Sequence, residues 1–203
     1  MAKNQLDSLM GVNLGSYLAL KQMNGTTIAW TQELPYAWTD PCARNFHLNL
    51  TREPWNDVDI RRAINHAIDR EQILDIAYEG MSTVSPHWLP AYGVFQPYVA
   101  SVEESGLYDK YPVFAYDPDA AKAIFESKGY VMNSETGYYE KDGKELTMTI
   151  ANFDDTEMNT AVSLLVEQFQ AVGINAEEDI QPIPAFIENL TNAGFDTYYF
   201  FVC

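Results

Sequence analysis

From Leu146 onward the apolar pattern switches repeatedly between two periods, and that alternation constrains the fold more than any other feature of the chain. Leu146 to Ala151 reads as a strand. Met158, Ala161, Val162, Leu165, Phe169 and Val172 then fall on one helical stripe between about Thr156 and Val172, with Gly173 at its end. "INAEEDI" makes a further strand, Pro182 and Pro184 open a helix carrying Ile187 and Leu190 that closes at Gly194, and "FDTYYFFV" is a buried strand. Strand, helix, strand, helix, strand is the order of an α/β unit with at least one crossover connection.

The rest of the chain supplies the layers around that unit. In "NDVDIRRAINHAIDREQIL", Ile60, Ala63, Ile64, Ala67 and Ile68 form the stripe of a helix lying on a core, with Asn56 as its predicted N-cap. Asp69 and Gln72 have the spacing of a capping box, so a second helix restarts at once and stops at Gly80. Apolar spacing from Leu6 to Met23 predicts one or two short helices, and alternation predicts strands in "TTIAWTQEL" and in "RNFHLNL". Residues 81 to 116 read as a long aromatic loop stiffened by proline. Asp117 and Pro118 open a helix that ends at Gly129, and Asp142-Gly143 is the turn of a hairpin leading into the Leu146 strand.

Composition narrows the function classes. The 203 residues carry a net charge of −17, which repels a phosphate backbone and any anionic membrane surface, so nucleic acid is excluded as a partner. No run of about 18 apolar residues is present to span a bilayer. "MAKNQLDSL" lacks the basic and apolar regions of a signal peptide, so the protein is either cytosolic or has lost a leader. Cys203 ends the sequence directly after an apolar run, and the chain is read as a fragment of something longer. Whether it pairs with Cys42 is open, since a disulfide needs α-carbons within about 7 Å.

Motif chemistry is sparse. His47, His66 and His87 fall on a strand, a helix and a loop without metal-site spacing, and the common nucleotide, acyl-transfer and zinc motifs are absent. No metal or cofactor is therefore expected. Carboxylates at Asp154, Asp155 and Glu157 leave an acidic hydrolase as one alternative, and the aromatic loop of residues 86 to 98 leaves a protein-interaction module as another. Aromatic, proline-rich loops on a rigid α/β frame favour a third class, the capture of a small organic ligand.

"NFHLNLTREPWNDVDIRRAINHAIDREQILDIAYEG", followed by "SPHWLP", resembles the signature segment of family 5 extracellular solute-binding proteins, the peptide, dipeptide and nickel receptors of ABC importers. The matching positions are Asn49, Pro54, Trp55, Asp57, Arg61, Ala63, Ile64, Ala67, Ile68, Asp69, Arg70 and Gly80. "YDPDAAKAIFESKGY", "LTMTIANFDD", "LLVEQFQAVGINAEED" and "FDTYYFF" resemble later segments of the same family. Ile124-Phe125 and Cys203 depart from its usual residues.

The resemblance implies a periplasmic-binding-protein-like α/β lobe of peptide-receptor type, incomplete, with a mixed sheet flanked by helices. Residues 1–203 would form most of the distal ligand-binding lobe of a larger two-lobe receptor. Such a receptor is not an enzyme; it is extracytoplasmic, periplasmic or a cell-surface lipoprotein, and hands a peptide-like solute to membrane permease subunits. The resemblance makes Arg61, Arg62 and Arg70 scaffold residues. Asn49, His87, Trp88 and Tyr92 are the candidate ligand-binding residues.

Overall fold

A chain with one apolar face per element must stack those faces, and the computed structural model, which describes residues 1–3, 5–37, 42–85, 93–113 and 115–202, shows how. The elements in order are α1 (Leu14–Met23), β1 (Ala43–Leu48), α2 (Val58–Ala67), α3 (Arg70–Ala77), α4 (Gln96–Glu104), α5 (Leu107–Lys110) and α6 (Pro118–Ser127). Short strands β2 (Val131–Met132), β3 (Tyr139–Lys141) and β4 (Lys144–Glu145) follow. The alternating unit closes the chain as β5 (Thr147–Phe153), α7 (Thr156–Ala171), β6 (Asn175–Gln181), α8 (Ile183–Thr191) and β7 (Thr197–Val202).

The main sheet has the order β1-β7-β5-β6. Strands β6 and β7 both run parallel to β5, each reached by a helical crossover, while β1 runs antiparallel along β7 with Phe46 opposite Tyr199 and His47 opposite Tyr198. It is a mixed sheet flanked by helices, as the alternation requires. Side-chain alternation sends Phe46, Met148, Ile150 and Tyr199 to one face, where α7 lays Leu165 and Phe169 over them. His47, Phe153, Tyr198 and Phe200 go to the other, where Phe186 of α8 meets the last three rings. Full burial of each large side chain in these layers contributes about 1.5–3 kcal/mol.

The helix pair after β1 is docked by one polar residue. Asp69 caps α3 by accepting from Gln72 N, but the Gln72 side chain does not complete the predicted capping box. Buried Gln168 of α7 does so instead: its Oε1 accepts from Asp69 N, and its Nε2 donates to Asp69 O and Gln72 Oε1. Arg70 donates to the Asn65 and Ile68 carbonyls at the end of α2, and His66 Nδ1 bonds Ala115 O at 2.9 Å. Arg62 pairs with Asp59, an exposed ion pair of about 0–1 kcal/mol. Arg62 and Arg70 therefore brace the helix pair.

Several expectations are corrected. The start of α2 is capped by Asp57, which accepts from Asp59 N, rather than by Asn56. "TTIAWTQEL" forms no strand: Ile28 and Trp30 stand 73 % and 76 % exposed, and among the described residues no strand lies alongside to take up its backbone groups. Of the one or two short helices expected between Leu6 and Met23, one is present, Leu14–Met23, capped by Asn13, while Leu6, Leu9 and Met10 are exposed. The segment read as a loop from 81 to 116 contains α4 and α5, nucleated by Pro97 in the first turn of α4.

The hairpin is as predicted, with Asp142 and Gly143 at φ +51° and +71°. It is held to the end of α7 through Gly173, at φ +88°, whose carbonyl accepts from Tyr139 N at 2.7 Å. A Cβ there would stand 2.7 Å from Met132 and 2.9 Å from the Tyr139 ring.

Candidate functional site

The sheet has two unlike rims. At the amino ends of β5 and β7 lies a closed junction centred on Asp196, the residue before β7. Its Oδ1 accepts from the indole of Trp55, which is wholly buried, and its Oδ2 accepts from Thr149 N at 3.2 Å. Its carbonyl accepts from Asn49 N at 3.0 Å. Asn49 is only 4 % exposed. Its amide donates to the Ala193 and Phe195 carbonyls at 3.2 and 2.9 Å, and its oxygen accepts from both the amide and the hydroxyl of Thr51. The candidate ligand residue just past β1 therefore has its hydrogen-bonding capacity taken up within the chain, and ties the end of that strand to the loop before β7.

The opposite rim, at the carboxyl ends of β5 and β6, is where open α/β sheets bind ligands, because the chain leaves each strand there and the loops can spread. Tyr78, just past α3, meets Tyr199 hydroxyl to hydroxyl at 2.8 Å. Burial raises the pKa of both phenols; for Tyr78 the nearby Arg44 charge pulls the other way and Glu157 reinforces the rise. Arg44 Nη1 donates to Cys42 O, and its guanidinium lies 5.5 Å from the centre of the Phe201 ring. Cys42 is disulfide-bonded, and the other cysteine of the sequence, Cys203, lies outside the described residues. Asn152, fully buried at the end of β5, donates to Asn159 Oδ1, which belongs to a side chain that in turn donates to Asp154.

His87, Trp88 and Tyr92 lie outside the described residues.

The carboxylates of the hydrolase alternative have local work. Asp155 caps α7, accepting from Glu157 N and Met158 N, and Asp154 accepts from Asn159. Among the described residues no three His, Cys, Asp or Glu side chains are grouped to hold a metal ion, and no helix is long and apolar enough to cross a membrane. Sequence reasoning missed Asp196 as a junction residue. The "F-D" pair marked it, but not its partner Trp55.

The chain is similar to the oligopeptide-binding protein OppA of Lactococcus lactis subsp. cremoris, 24 % identical over 181 residues that cover 86 % of this chain and 29 % of that relative. It therefore spans less than a third of that relative's length. Among solved structures it resembles the periplasmic oligopeptide-binding protein of an ABC transporter from Thermotoga maritima, with a TM-score of 0.76 and 28 % identity, covering 91 % of this chain and 34 % of the other. The same Thermotoga protein with mannohexaose bound aligns with a TM-score of 0.75 and 26 % identity, covering 91 % and 34 % of the two chains. The family model for bacterial extracellular solute-binding proteins, family 5 Middle, matches residues 1–200. With that match over nearly its whole length, the chain belongs to the family 5 bacterial extracellular solute-binding proteins.

Proposed function

We propose that this chain is most of the distal ligand-binding lobe of a two-lobe receptor that captures an oligopeptide or dipeptide outside the cytoplasm and delivers it to the permease subunits of an ABC importer. The observation that carries the reading is the family match over residues 1–200. Capture is by hinge closure of two lobes around the solute, with no bond made or broken, so the protein is not an enzyme. The receptor resides in the periplasm or on the cell surface as a lipoprotein.

The ligand wall in this reading is the carboxyl rim. The aromatic segment bearing His87, Trp88 and Tyr92 supplies stacking surface and hydrogen-bonding tips at low conformational cost. Asn49 serves the site from the far rim, as a positioning residue that fixes the end of β1. Peptide is favoured over other solutes by the names of the relatives, and the mannohexaose bound to the Thermotoga protein makes oligosaccharide the competing outcome.

The test is mass spectrometry of the solute retained by the receptor purified whole, followed by calorimetry with the released compounds. A ladder of peptide masses that rebind supports the proposal. Sugar masses would reassign the solute and keep the receptor. Turnover of chromogenic hydrolase substrates, lost on mutating Asp154 or Glu157, would overturn it.

A further inference from the structure

Between α2 and the segment after α5 lies an open groove of about 260 Å³, lined by Val58, Arg61, Arg62, Asn65, Lys110 and Tyr111 together with Pro112. The chain enters α2, one wall of the groove, from the Trp55 junction at the amino rim. Three of the chain's twelve basic residues meet here, in a protein of net charge −17.

The charges are held in place. Arg61 donates from Nη1 to the Trp55 and Asn56 carbonyls at 2.9 and 3.0 Å, which fixes its guanidinium and leaves its other N–H groups for a further acceptor. The Arg62 charge is matched by Asp59, and Asp59 also meets Lys128, which is paired with Asp57. Among the described residues neither Arg61 nor Lys110 has a carboxylate within 4 Å, so two positive charges at this groove stand unmatched. Lys110 Nζ sits 5.1 Å from the centre of the Tyr111 ring, and the Asn65 oxygen is occupied by Arg70, so what Asn65 still offers is its amide N–H groups. Donors without acceptors, beside an apolar wall of Val58, Tyr111 and Pro112, define the complementary ligand.

We infer that this groove binds a small organic anion, a carboxylate or phosphate carried on an apolar body, independently of the cleft. A guanidinium matches the two oxygens of either group, and Lys110 adds a point charge. The surrounding negative field disfavours casual anion binding, so saturable binding here requires a local site.

The probes are inorganic phosphate, succinate and phenyl phosphate, titrated at constant ionic strength and followed by calorimetry and by NMR of the arginine side-chain N–H groups. Saturable binding is expected, tightest for phenyl phosphate. Arg61→Gln and Lys110→Gln should each weaken it about tenfold, the size of one charge-assisted hydrogen bond. Lys144→Gln, which removes an exposed charge from the distant hairpin, should leave it unchanged. Circular dichroism identifies an Arg61→Gln chain that has lost its fold, in which case Lys110→Gln decides alone. Absence of saturation, or equal weakening by Lys144→Gln, would overturn the inference; retained cleft binding alongside such a result would leave the receptor reading intact.

Discussion

Asp196→Asn changes one atom and removes a charge, and the junction at the amino rim makes it costly. The carboxylate presents two acceptors to two donors, the wholly buried Trp55 indole and the Thr149 backbone amide. An asparagine has one oxygen, so one donor must face an NH2 group. A buried donor left unpaired costs about 1–3 kcal/mol, and the surviving bond drops from a charged to a neutral acceptor, losing about 1 kcal/mol more. The expected destabilisation is roughly 2–4 kcal/mol, or roughly 5–12 °C in Tm for a chain of this size. In a Trp55→Phe background the indole donor is gone, and the asparagine can turn its oxygen to Thr149 without a clash. The same substitution should then cost only about 1 kcal/mol, a coupling of roughly 1–3 kcal/mol. Urea unfolding followed by circular dichroism on the four proteins measures both quantities. If Asp196→Asn lies within about 0.5 kcal/mol of the parent, or costs the same in both backgrounds, the junction is not held by this carboxylate.

Gln168→Leu keeps the volume but leaves the Asp69 amide without its acceptor, while the Asp69 carbonyl keeps its bond from Ile73 N, and should cost about 1–3 kcal/mol in the same unfolding assay. Gly173→Ala meets Met132 and Tyr139 at a positive φ and should lose about 1–3 kcal/mol, whereas Gly143→Ala, with open space around it, should lose less. Burial holds the His47 imidazole below its ordinary pKa, with Nε2 buried and unpartnered and the ring stacked on Tyr198. The folded state therefore resists the proton that the unfolded chain accepts. Stability should be unaffected by this group above its ordinary value of about 6.5, fall as pH drops below it, and flatten in His47→Phe. Trp88→Ala or Tyr92→Ala should weaken ligand binding about tenfold, while Asn49→Ala should lower Tm, since it removes the bonds to the Ala193 and Phe195 carbonyls.

Local signals were legible in the sequence where a single element could satisfy them. The Asp69 and Asp117 caps, the Asp142-Gly143 turn and the stripe of α7 are decided within a few residues, and all stand where the pattern put them. The family resemblance in residues 49 to 80 had in part the same basis, since half of its matching positions are the caps Asp57 and Asp69 and the buried residues Ala63, Ile64, Ala67 and Ile68 of α2 and its end. "TTIAWTQEL" failed because alternation describes a surface, and a strand also needs a neighbour. The partners of Asn49 were invisible for a related reason: a polar residue at a strand end looks available until carbonyls more than 140 residues away are in place. Gln168 is the inverse case, a polar position on an apolar stripe whose meaning exists only once α3 is docked against it.

These long-range polar contacts divide the sheet by task. At the amino rim the polar groups are matched within the fold, the Asn49 side chain to Thr51 and to the Ala193 and Phe195 carbonyls and the Asp196 carboxylate to the Trp55 indole and the Thr149 amide, which leaves little hydrogen-bonding capacity for a solute. At the carboxyl rim the balance differs. Asn152 has a buried oxygen with no partner among the described residues, and the Tyr78–Tyr199 pair stands beside Arg44 and Glu157, whose charges act on it from opposite directions. A solute at the amino rim would have to break bonds the fold depends on. Substitutions at Asp196 and Asn49 should therefore be read in unfolding curves, and substitutions on the aromatic segment in binding isotherms; if the two sets exchanged phenotypes, the division of the sheet into a stabilising rim and a binding rim would be wrong.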